Sequence, residues 1–254
     1  MSNIKYWYIG GDIHGDWRPV RNWVVNELKT PKDQSALILL GDVGANYYLN
    51  HRDRDFKQQL NKLGIRIYCL RGNHEMRVKE VAKIGNYNHI FDGDCEGPVY
   101  IEKEYPNIYY LCDYGGIYMF NKKECLVVPG AYSVDKEYRI LHGWSWFSDE
   151  QLNGYEREWI KVQAHDIDFD YILAHTCPYS WEQYINDLFL TNVPQYMIDK
   201  TMEYLLDDII DDCSYKHFYF GHFHDDRNIP EVNATMLYKK IIPLGEYIKE
   251  NVNE

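Results

Sequence analysis

Aspartate, asparagine and histidine recur in five short polar segments, and each segment directly follows a run of apolar residues. The five segments are residues 11–15, 41–44, 72–75, 174–175 and 221–224. A metal ion needs side chains with lone pairs held by stiff backbone, and the ends of β-strands supply that stiffness. The sequence therefore predicts that these segments meet around bound metal.

Two of the segments carry pairs of ligand-type residues at a spacing of two. Asp12 and His14 form the first pair, and His222 and His224 form the second. Residues two apart in extended backbone share one face, so both members of a pair can bind the same ion. The spacing predicts that each pair contributes two ligands.

The remaining ligand-type residues stand singly after their strands. Asp42 is predicted to bridge two ions about 3.5 to 4 Å apart, the spacing of two-metal hydrolytic sites. Asn73 and His175 are predicted to complete the coordination of the second ion. The set of two carboxylates, one carboxamide and four imidazoles includes no thiolate, which suits two divalent ions of Mn, Fe, Zn, Ni or Co, with Mn favoured.

Such a centre would attract anions inside an acidic protein. The chain has 27 basic and 39 acidic residues and a formal net charge of -12, which disfavours long nucleic acids and anionic membranes as partners. Two divalent ions and two aspartates leave about +2 at the site. A water between the ions would have its pKa lowered towards about 7, which predicts in-line attack of a metal-bridging hydroxide on a phosphate ester.

Three residues outside the ligand set are candidates for catalysis and substrate binding. His74 follows Asn73 directly and is predicted to be the general acid for the leaving oxygen, although a structural role beside Asn73 or Glu75 is the alternative. Arg139 and Lys136 are candidates for contacting the phosphate, and a solvated loop is the alternative there. Residues 46–52, which include two tyrosines, would either line the pocket with aromatic rings or pack elsewhere.

Apolar runs and turn residues predict an α/β protein. Strands are predicted at residues 6–11, 36–40, 65–70, 171–174 and 218–220, and helices after residue 16, near 53–63 and over 194–210. Strands at 108–111, 117–120 and 125–128 are predicted to be joined as hairpins through residues 113–116 and 121–124. Strands that repeatedly lead into polar loops favour one domain over residues 1–254, with ligands beyond the strands' carboxyl ends.

The cysteines and the lengths of the apolar runs indicate the cellular compartment of the protein. The six cysteines are scattered without a CxxC pair, and no run approaches the roughly 18 to 20 apolar residues of a membrane helix. We therefore expect a cytoplasmic protein that has no membrane partner.

The five segments also resemble, in order, the motifs of a known family. Gly-Asp-Ile-His-Gly, Gly-Asp, Gly-Asn-His-Glu, Ala-His and Gly-His-Phe-His are similar to the motifs of calcineurin-like metallophosphoesterases. The resemblance implies a four-layer sandwich of two mixed β-sheets flanked by α-helices. It also implies that one metal is held by Asp12, His14, Asp42 and His224, and the other by Asp42, Asn73, His175 and His222.

One departure from a branch of that family concerns the substrate. Residues 70–75 look like the version found in phosphoprotein phosphatases, but residues 43–46 lack the Asp-Arg pair with which that branch extends its second motif. The departure argues against a serine/threonine phosphatase. A small phosphomonoester, a nucleotide and a phosphoprotein stay open as substrates, and a catalytically lapsed scaffold that acts as a binding module is the alternative function.

Overall fold

The computed structural model describes residues 4–83, 85–189 and 193–248. Its strands are β1 (Tyr6–Gly10), β2 (Ser35–Leu39), β3 (Arg66–Cys69), β4 (Tyr87–Asp92), β5 (Gly97–Glu102), β6 (Ile108–Leu111), β7 (Gly116–Phe120), β8 (Lys123–Val128), β9 (Asp168–Ala174), β10 (Ser214–Phe220), β11 (Arg227–Ile229), β12 (Ala234–Met236) and β13 (Ile241–Pro243). Its helices are α1 (Arg18–Asn26), α2 (His51–Asn61), α3 (Val78–Ala82), α4 (Lys136–Leu141), α5 (Gly154–Ala164) and α6 (Thr201–Asp212).

The strands form two mixed sheets. The first has the order β13-β1-β2-β3-β6-β5-β4, and the second has the order β11-β12-β10-β9-β8-β7. Within the first sheet, β1, β2, β3 and β6 run parallel, while β13, β5 and β4 pair antiparallel with their neighbours. Within the second, β12, β10, β9 and β8 run parallel, and β11 and β7 are antiparallel edges.

Alternate residues of each strand pack on opposite faces of the sheet, which produces four layers. Trp7 and Ile38 of the first sheet share one apolar cluster with Phe120 and Tyr219 of the second, so this cluster lies between the sheets. The other face of the first sheet packs against α1 and α2, and the other face of the second packs against α5 and α6. The predicted four-layer sandwich of two mixed sheets flanked by helices is confirmed.

One predicted hairpin is wrong. The turn at residues 113–116 was expected to join two strands of a single hairpin, but β6 lies in the first sheet and β7 in the second. Both edges of β6 are already occupied by β3 and β5, so β7 cannot pair with it. The turn therefore carries the chain from one sheet to the other, whereas the turn at 121–124 does join the β7–β8 hairpin.

The helix predicted over residues 194–210 starts later than expected. Residues Gln195–Met197 form a single 3₁₀ turn, Ile198 is extended with ψ 126°, and α6 begins at Thr201. The carboxylate of Asp199 accepts hydrogen bonds from the backbone N–H and the hydroxyl of Thr201. This side-chain contact ends the preceding turn and starts a separate helix, because aspartate competes for backbone donors at helix starts. None of the described helices is long and apolar enough to span a membrane.

A histidine on β10 makes the stability of the fold depend on pH. The His217 Nε2 donates to the Thr235 hydroxyl at 2.8 Å, since that hydroxyl itself donates to Asn228. Burial lowers the pKa of His217 to about 4. In the unfolded chain this histidine has a pKa of about 6.5, so it binds a proton there before it does in the folded protein. The stabilising contribution of the neutral His217 ring is therefore present above pH 6.5 and is lost as the pH falls towards 4.

The free energy of unfolding should fall by about 2 kcal/mol less between pH 6.5 and 4 in His217→Gln than in the unsubstituted protein. This figure allows for the partial exposure of the ring. Urea unfolding of the metal-free protein across this range measures the effect. The matched control is His51→Gln, at an exposed position of α2. Parallel pH profiles for His217→Gln and the unsubstituted protein would contradict the assignment.

Candidate metal centre

Five parallel strands end at the same edge of the sandwich, and a predicted ligand follows each of them. Asp12, Asp42 and Asn73 come just after β1, β2 and β3 of the first sheet, while His175 and His222 come just after β9 and β10 of the second. Parallel strands direct their carboxyl ends to one edge of a sheet. The two sheets therefore bring residues from across the whole chain to one place.

Two of the glycines that precede predicted ligands are required because a side chain from another strand lies too close to leave room for a Cβ. A Cβ on Gly41 would overlap the His175 ring, and Gly41 also has a φ of +102°. A Cβ on Gly221 would overlap the Asp12 carboxylate. The Gly-Asp and Gly-His pairs of the sequence thus reflect the space that a ligand from another strand occupies.

The backbone is strained at four of the predicted ligands. His14, Asp42, His222 and His224 have φ values of 45°, 47°, 70° and 56°. Residues other than glycine rarely adopt this left-handed conformation, which costs on the order of 1 kcal/mol at each position. Such strain clusters at functional sites, where it fixes the direction of a side chain.

The first group of side chains contains Asp12, His14 and His224, whose ligand atoms lie within 4.8 Å of one another. The Nε2 atoms of the two histidines are 2.8 Å apart, and the His224 Nε2 is 3.4 Å from the Asp12 Oδ2. Asp12 is buried, while His14 and His224 are reachable from solvent. The geometry suits one ion bound near the surface.

The second group surrounds the buried His175. Its Nε2 lies 2.9 Å from the Asn73 Oδ1 and 3.5 Å from the Asp42 Oδ1, and its ring packs edge-on against that of His222 with centroids 5.0 Å apart. The Asp42 Oδ2 lies 4.0 Å from the His14 Nε2 of the first group. Asp42 therefore stands between the two groups, where a bridging ligand would be.

The hydrogen bonds around His175 fit a cation. The His175 Nδ1 donates to the Leu40 carbonyl at 2.7 Å, so in the neutral ring Nε2 carries a lone pair. The Asn73 amide nitrogen donates to Ser133, so the atom facing that lone pair is the Asn73 oxygen, also an acceptor. Two acceptors at 2.9 Å need a positive charge between or beside them, and either a proton on Nε2 or a bound metal ion supplies it.

The electrostatics agree with this interpretation. Burial lowers the pKa of His175, but Asp42 and Asp12 outweigh burial and raise it to about 9. Without a metal, the His175 Nε2 therefore carries a proton at neutral pH, and a bound metal ion would take the place of that proton. Burial raises the pKa of Asp42, but His74 and His175 together hold it well below its usual value. Burial and the neighbouring His175 keep the pKa of His222 well below its usual value, so its ring is neutral. The site favours ionised carboxylates and an added cation.

Sequence reasoning missed a chain of hydrogen bonds that orients Asn73. The amide nitrogen of Asn73 donates to the Ser133 hydroxyl at 2.9 Å, and that hydroxyl donates to Glu150 at 2.5 Å. The same carboxylate accepts from the Ser133 backbone and from the Trp146 indole, both at 2.9 Å. Because these partners come 60 or more residues after Asn73, no local pattern in the sequence indicates them.

Glu75 was also missed as a residue that supports the site. Its carboxylate accepts from the backbone N–H groups of Gly44 and Ala45 at 2.8 and 3.2 Å. It thereby ties the loop after β3 to the loop that carries Asp42. Burial raises the pKa of Glu75 to about 7, and the carboxylate of Asp42 acts in the same direction.

The two residues predicted to contact the substrate, Arg139 and Lys136, lie in different surroundings. Arg139 is fully buried, its guanidinium pairs with Asp135 at 2.8 Å, and its Nη2 contacts the His74 Nε2. Lys136 instead lies over the Trp146 ring, 4.5 Å from its centroid. Residues 43–46 lack the Asp-Arg pair of the phosphoprotein phosphatases. Here another aspartate and arginine, Asp135 and Arg139, lie beside His74.

Comparison with known families identifies the group to which this site belongs. The sequence matches the family described as calcineurin-like phosphoesterase over residues 8–226. The chain belongs to this calcineurin-like phosphoesterase family. The family uses dinuclear metal centres, and the part of the chain that the structure describes holds the candidate ligand clusters given above. Comparison with curated proteins gave no match.

Three solved structures are similar to this calcineurin-like phosphoesterase. One chain, 12% identical, aligns with a TM-score of 0.52 over 96% of both chains. Phosphopantetheinyl hydrolase from Mycobacterium tuberculosis is 11% identical, with a TM-score of 0.47 over 94% of this chain and 92% of that one. The protein TT1561 of Thermus thermophilus is 11% identical, with a TM-score of 0.47 over 92% and 88%. The likeness of the first of these structures concerns the fold alone.

Proposed function

We propose that the protein is a metal-dependent phosphoesterase with a dinuclear centre. Its ligands are Asp12, His14, Asp42, Asn73, His175, His222 and His224, with Asp42 shared by both ions. The observation that supports this most is the convergence of three ligand atoms from separate strands: the His175 Nε2 lies 2.9 Å from the Asn73 Oδ1 and 3.5 Å from the Asp42 Oδ1. The substrate is a phosphorylated small molecule, a nucleotide or a phosphoprotein, and a cytoplasmic location stays a prediction.

Two divalent ions, with Mn favoured, would supply a water of lowered pKa and neutralise charge on the phosphoryl oxygens. The chain's own contribution is to orient the donors before the substrate arrives. The Leu40 carbonyl fixes the His175 ring, and Ser133 fixes the Asn73 amide. Such supporting hydrogen bonds determine both tautomer and direction, and their loss typically costs about 10 to 100-fold in metal affinity or activity.

Arg139 is proposed to bind a phosphoryl oxygen. Its Nη1 is buried and has no hydrogen-bond partner among the described residues, while its other nitrogens contact Asp135 and His74. An unpaired guanidinium N–H is costly, and a phosphate oxygen would satisfy it. Lys136 was predicted for the same role, but its contact with Trp146 makes it the weaker candidate.

Arg139→Lys should weaken competitive inhibition by inorganic phosphate by about tenfold, because lysine cannot contact Asp135 and His74 and also present a fixed N–H to the phosphate. Inhibition constants measured with 4-nitrophenyl phosphate as substrate give the effect. Arg21→Lys, at an exposed position of α1, is the matched control. Equal phosphate inhibition in both variants would remove Arg139 from the substrate site.

His74 is proposed to assist the leaving oxygen. Because its Nε2 accepts from Arg139, the Nδ1 of the neutral ring carries an N–H that can donate a hydrogen bond to the leaving oxygen. Burial and the nearby Arg139 lower the pKa of His74 to about 4 although Asp42 acts in the opposite direction, so the ring is neutral near pH 7. The His74 backbone N–H also donates to the Asp42 Oδ1 at 2.9 Å, which fixes the residue beside the centre.

The function is tested by assaying the purified protein with Mn and with each of the other candidate metals. The substrates are 4-nitrophenyl phosphate, a nucleoside monophosphate, a nucleoside polyphosphate, a cyclic nucleotide and a phosphopeptide. We expect metal-dependent release of phosphate or alcohol from at least one of them, abolished by a chelator. Absence of hydrolysis together with absence of bound metal would favour the alternative of a lapsed scaffold.

A further inference from the structure

Two cavities border the predicted metal centre. The first has a volume of about 530 Å³, and its walls include His14, His74, Tyr47, Tyr48, Arg52 and Trp144. The second has a volume of about 310 Å³, and its walls include His222, His224, Val134, Leu188, Ile198 and Phe223. Both volumes are in the range of small-molecule sites, and each cavity is lined by predicted ligands.

The first cavity is aromatic and basic. The rings of Tyr48 and Trp144 are about half exposed, at 46% and 56% of their areas. Tyr47 packs edge-on against Tyr48 with centroids 4.7 Å apart, and the Arg52 guanidinium lies over the Tyr48 ring at 4.8 Å. Exposed rings next to cationic groups are suited to stacking on a planar aromatic group.

The second cavity is largely apolar away from the predicted ligands. Phe223 packs against Phe189 at 6.2 Å between ring centroids, and Leu188 and Ile198 add aliphatic surface to the walls. Among its charged side chains, Lys200 pairs with Glu182, and one oxygen of Glu203 accepts a hydrogen bond from the Thr176 hydroxyl while its other oxygen has no partner among the described residues. The aliphatic and aromatic part of the wall favours an alkyl group over a charged one.

His74 and Asp135 line both cavities, so the two spaces meet beside the centre. A phosphomonoester has one organic group and would fill only one of them. We infer that the substrate is an asymmetric phosphodiester with a planar aromatic group in the first cavity and an apolar chain in the second. This inference rests on the proposed function and specifies its substrate class.

The test uses alkyl 4-nitrophenyl phosphates whose alkyl group is methyl, butyl or hexyl. Hydrolysis adds water across the P–O bond to the aryl group and releases 4-nitrophenol and the alkyl phosphate, so the leaving group is constant through the series. We expect kcat/KM to rise at least about tenfold from methyl to hexyl, because each buried CH₂ favours binding. Hexyl phosphate should inhibit more strongly than methyl phosphate.

Two variants assign the groups to the cavities. Ile198→Ala should flatten the dependence on chain length, whereas Trp144→Ala should lower kcat/KM about tenfold for every chain alike through the loss of stacking. The matched control is Val162→Ala, at a position on α5 that is 71% exposed and lies outside both cavity walls. It should leave both properties unchanged.

The outcomes separate the inference from the function on which it rests. Hydrolysis of 4-nitrophenyl phosphate with no hydrolysis of the diesters, or with equal kcat/KM for all chain lengths, would overturn the inference and leave the proposed function standing. Absence of hydrolysis of both monoester and diesters with every metal would overturn the proposed function, and the inference with it.

Discussion

Replacing Asp42 with asparagine is expected to lower kcat/KM for the best substrate by about 10² to 10³-fold. Asp42 is buried, contacts the His74 backbone N–H at 2.9 Å and lies 3.5 Å from the His175 Nε2. Asparagine keeps the acceptor for that N–H but removes the negative charge between the two ligand groups. Steady-state hydrolysis and the metal content of the purified variant, measured by elemental mass spectrometry, give the two readouts.

The matched control is Asp55→Asn, an exposed aspartate on α2. It should leave both activity and metal content unchanged. Circular dichroism verifies that the Asp42 variant is folded. A folded Asp42→Asn protein with full metal content and undiminished activity would show that this carboxylate does not bridge the ions.

Replacing His74 with asparagine is expected to slow hydrolysis in proportion to how poor the leaving group is. Nitrophenolate is a stable anion that leaves without a proton, whereas an alkoxide requires one. The loss should therefore be about tenfold for 4-nitrophenyl phosphate and about 10² to 10³-fold for an alkyl phosphate. The kcat values of the variant for a series of leaving groups measure this difference.

His51→Asn, on the exposed start of α2, provides the control for replacing a histidine. Equal losses for good and poor leaving groups in His74→Asn would mean that the ring acts by contacting Arg139 and by holding the loop. In that case the proton would reach the leaving oxygen by another route.

The positions of the strand ends could be predicted from the sequence because they depend on local patterns. An apolar run followed by glycine and a ligand-type residue marks the ends of β1, β2, β3 and β10, and the order of these motifs resembles that of the family. The overlap that a Cβ on Gly41 or Gly221 would create shows why this local pattern exists. The four-layer fold followed from the resemblance, and the structure confirms it.

Features that depend on distant partners could not be predicted. The contact between Arg139 and His74 joins residues 65 apart, and that between Asn73 and Ser133 joins residues 60 apart. Nothing in the local spacing shows that both edges of β6 are occupied, which is why the hairpin at 113–116 was predicted wrongly. Strand β4 was missed because most of its residues are exposed, so it shows no apolar alternation.

Seven side chains are proposed to hold two ions at the shared edge of the sheets. Anomalous diffraction from crystals soaked in Mn would locate those ions. We expect two peaks about 3.5 to 4 Å apart, one beside Asp12 and His224, the other beside Asn73 and His175, with Asp42 between them. A map with no peak at this edge, or with Mn bound only elsewhere on the protein, would contradict this proposal.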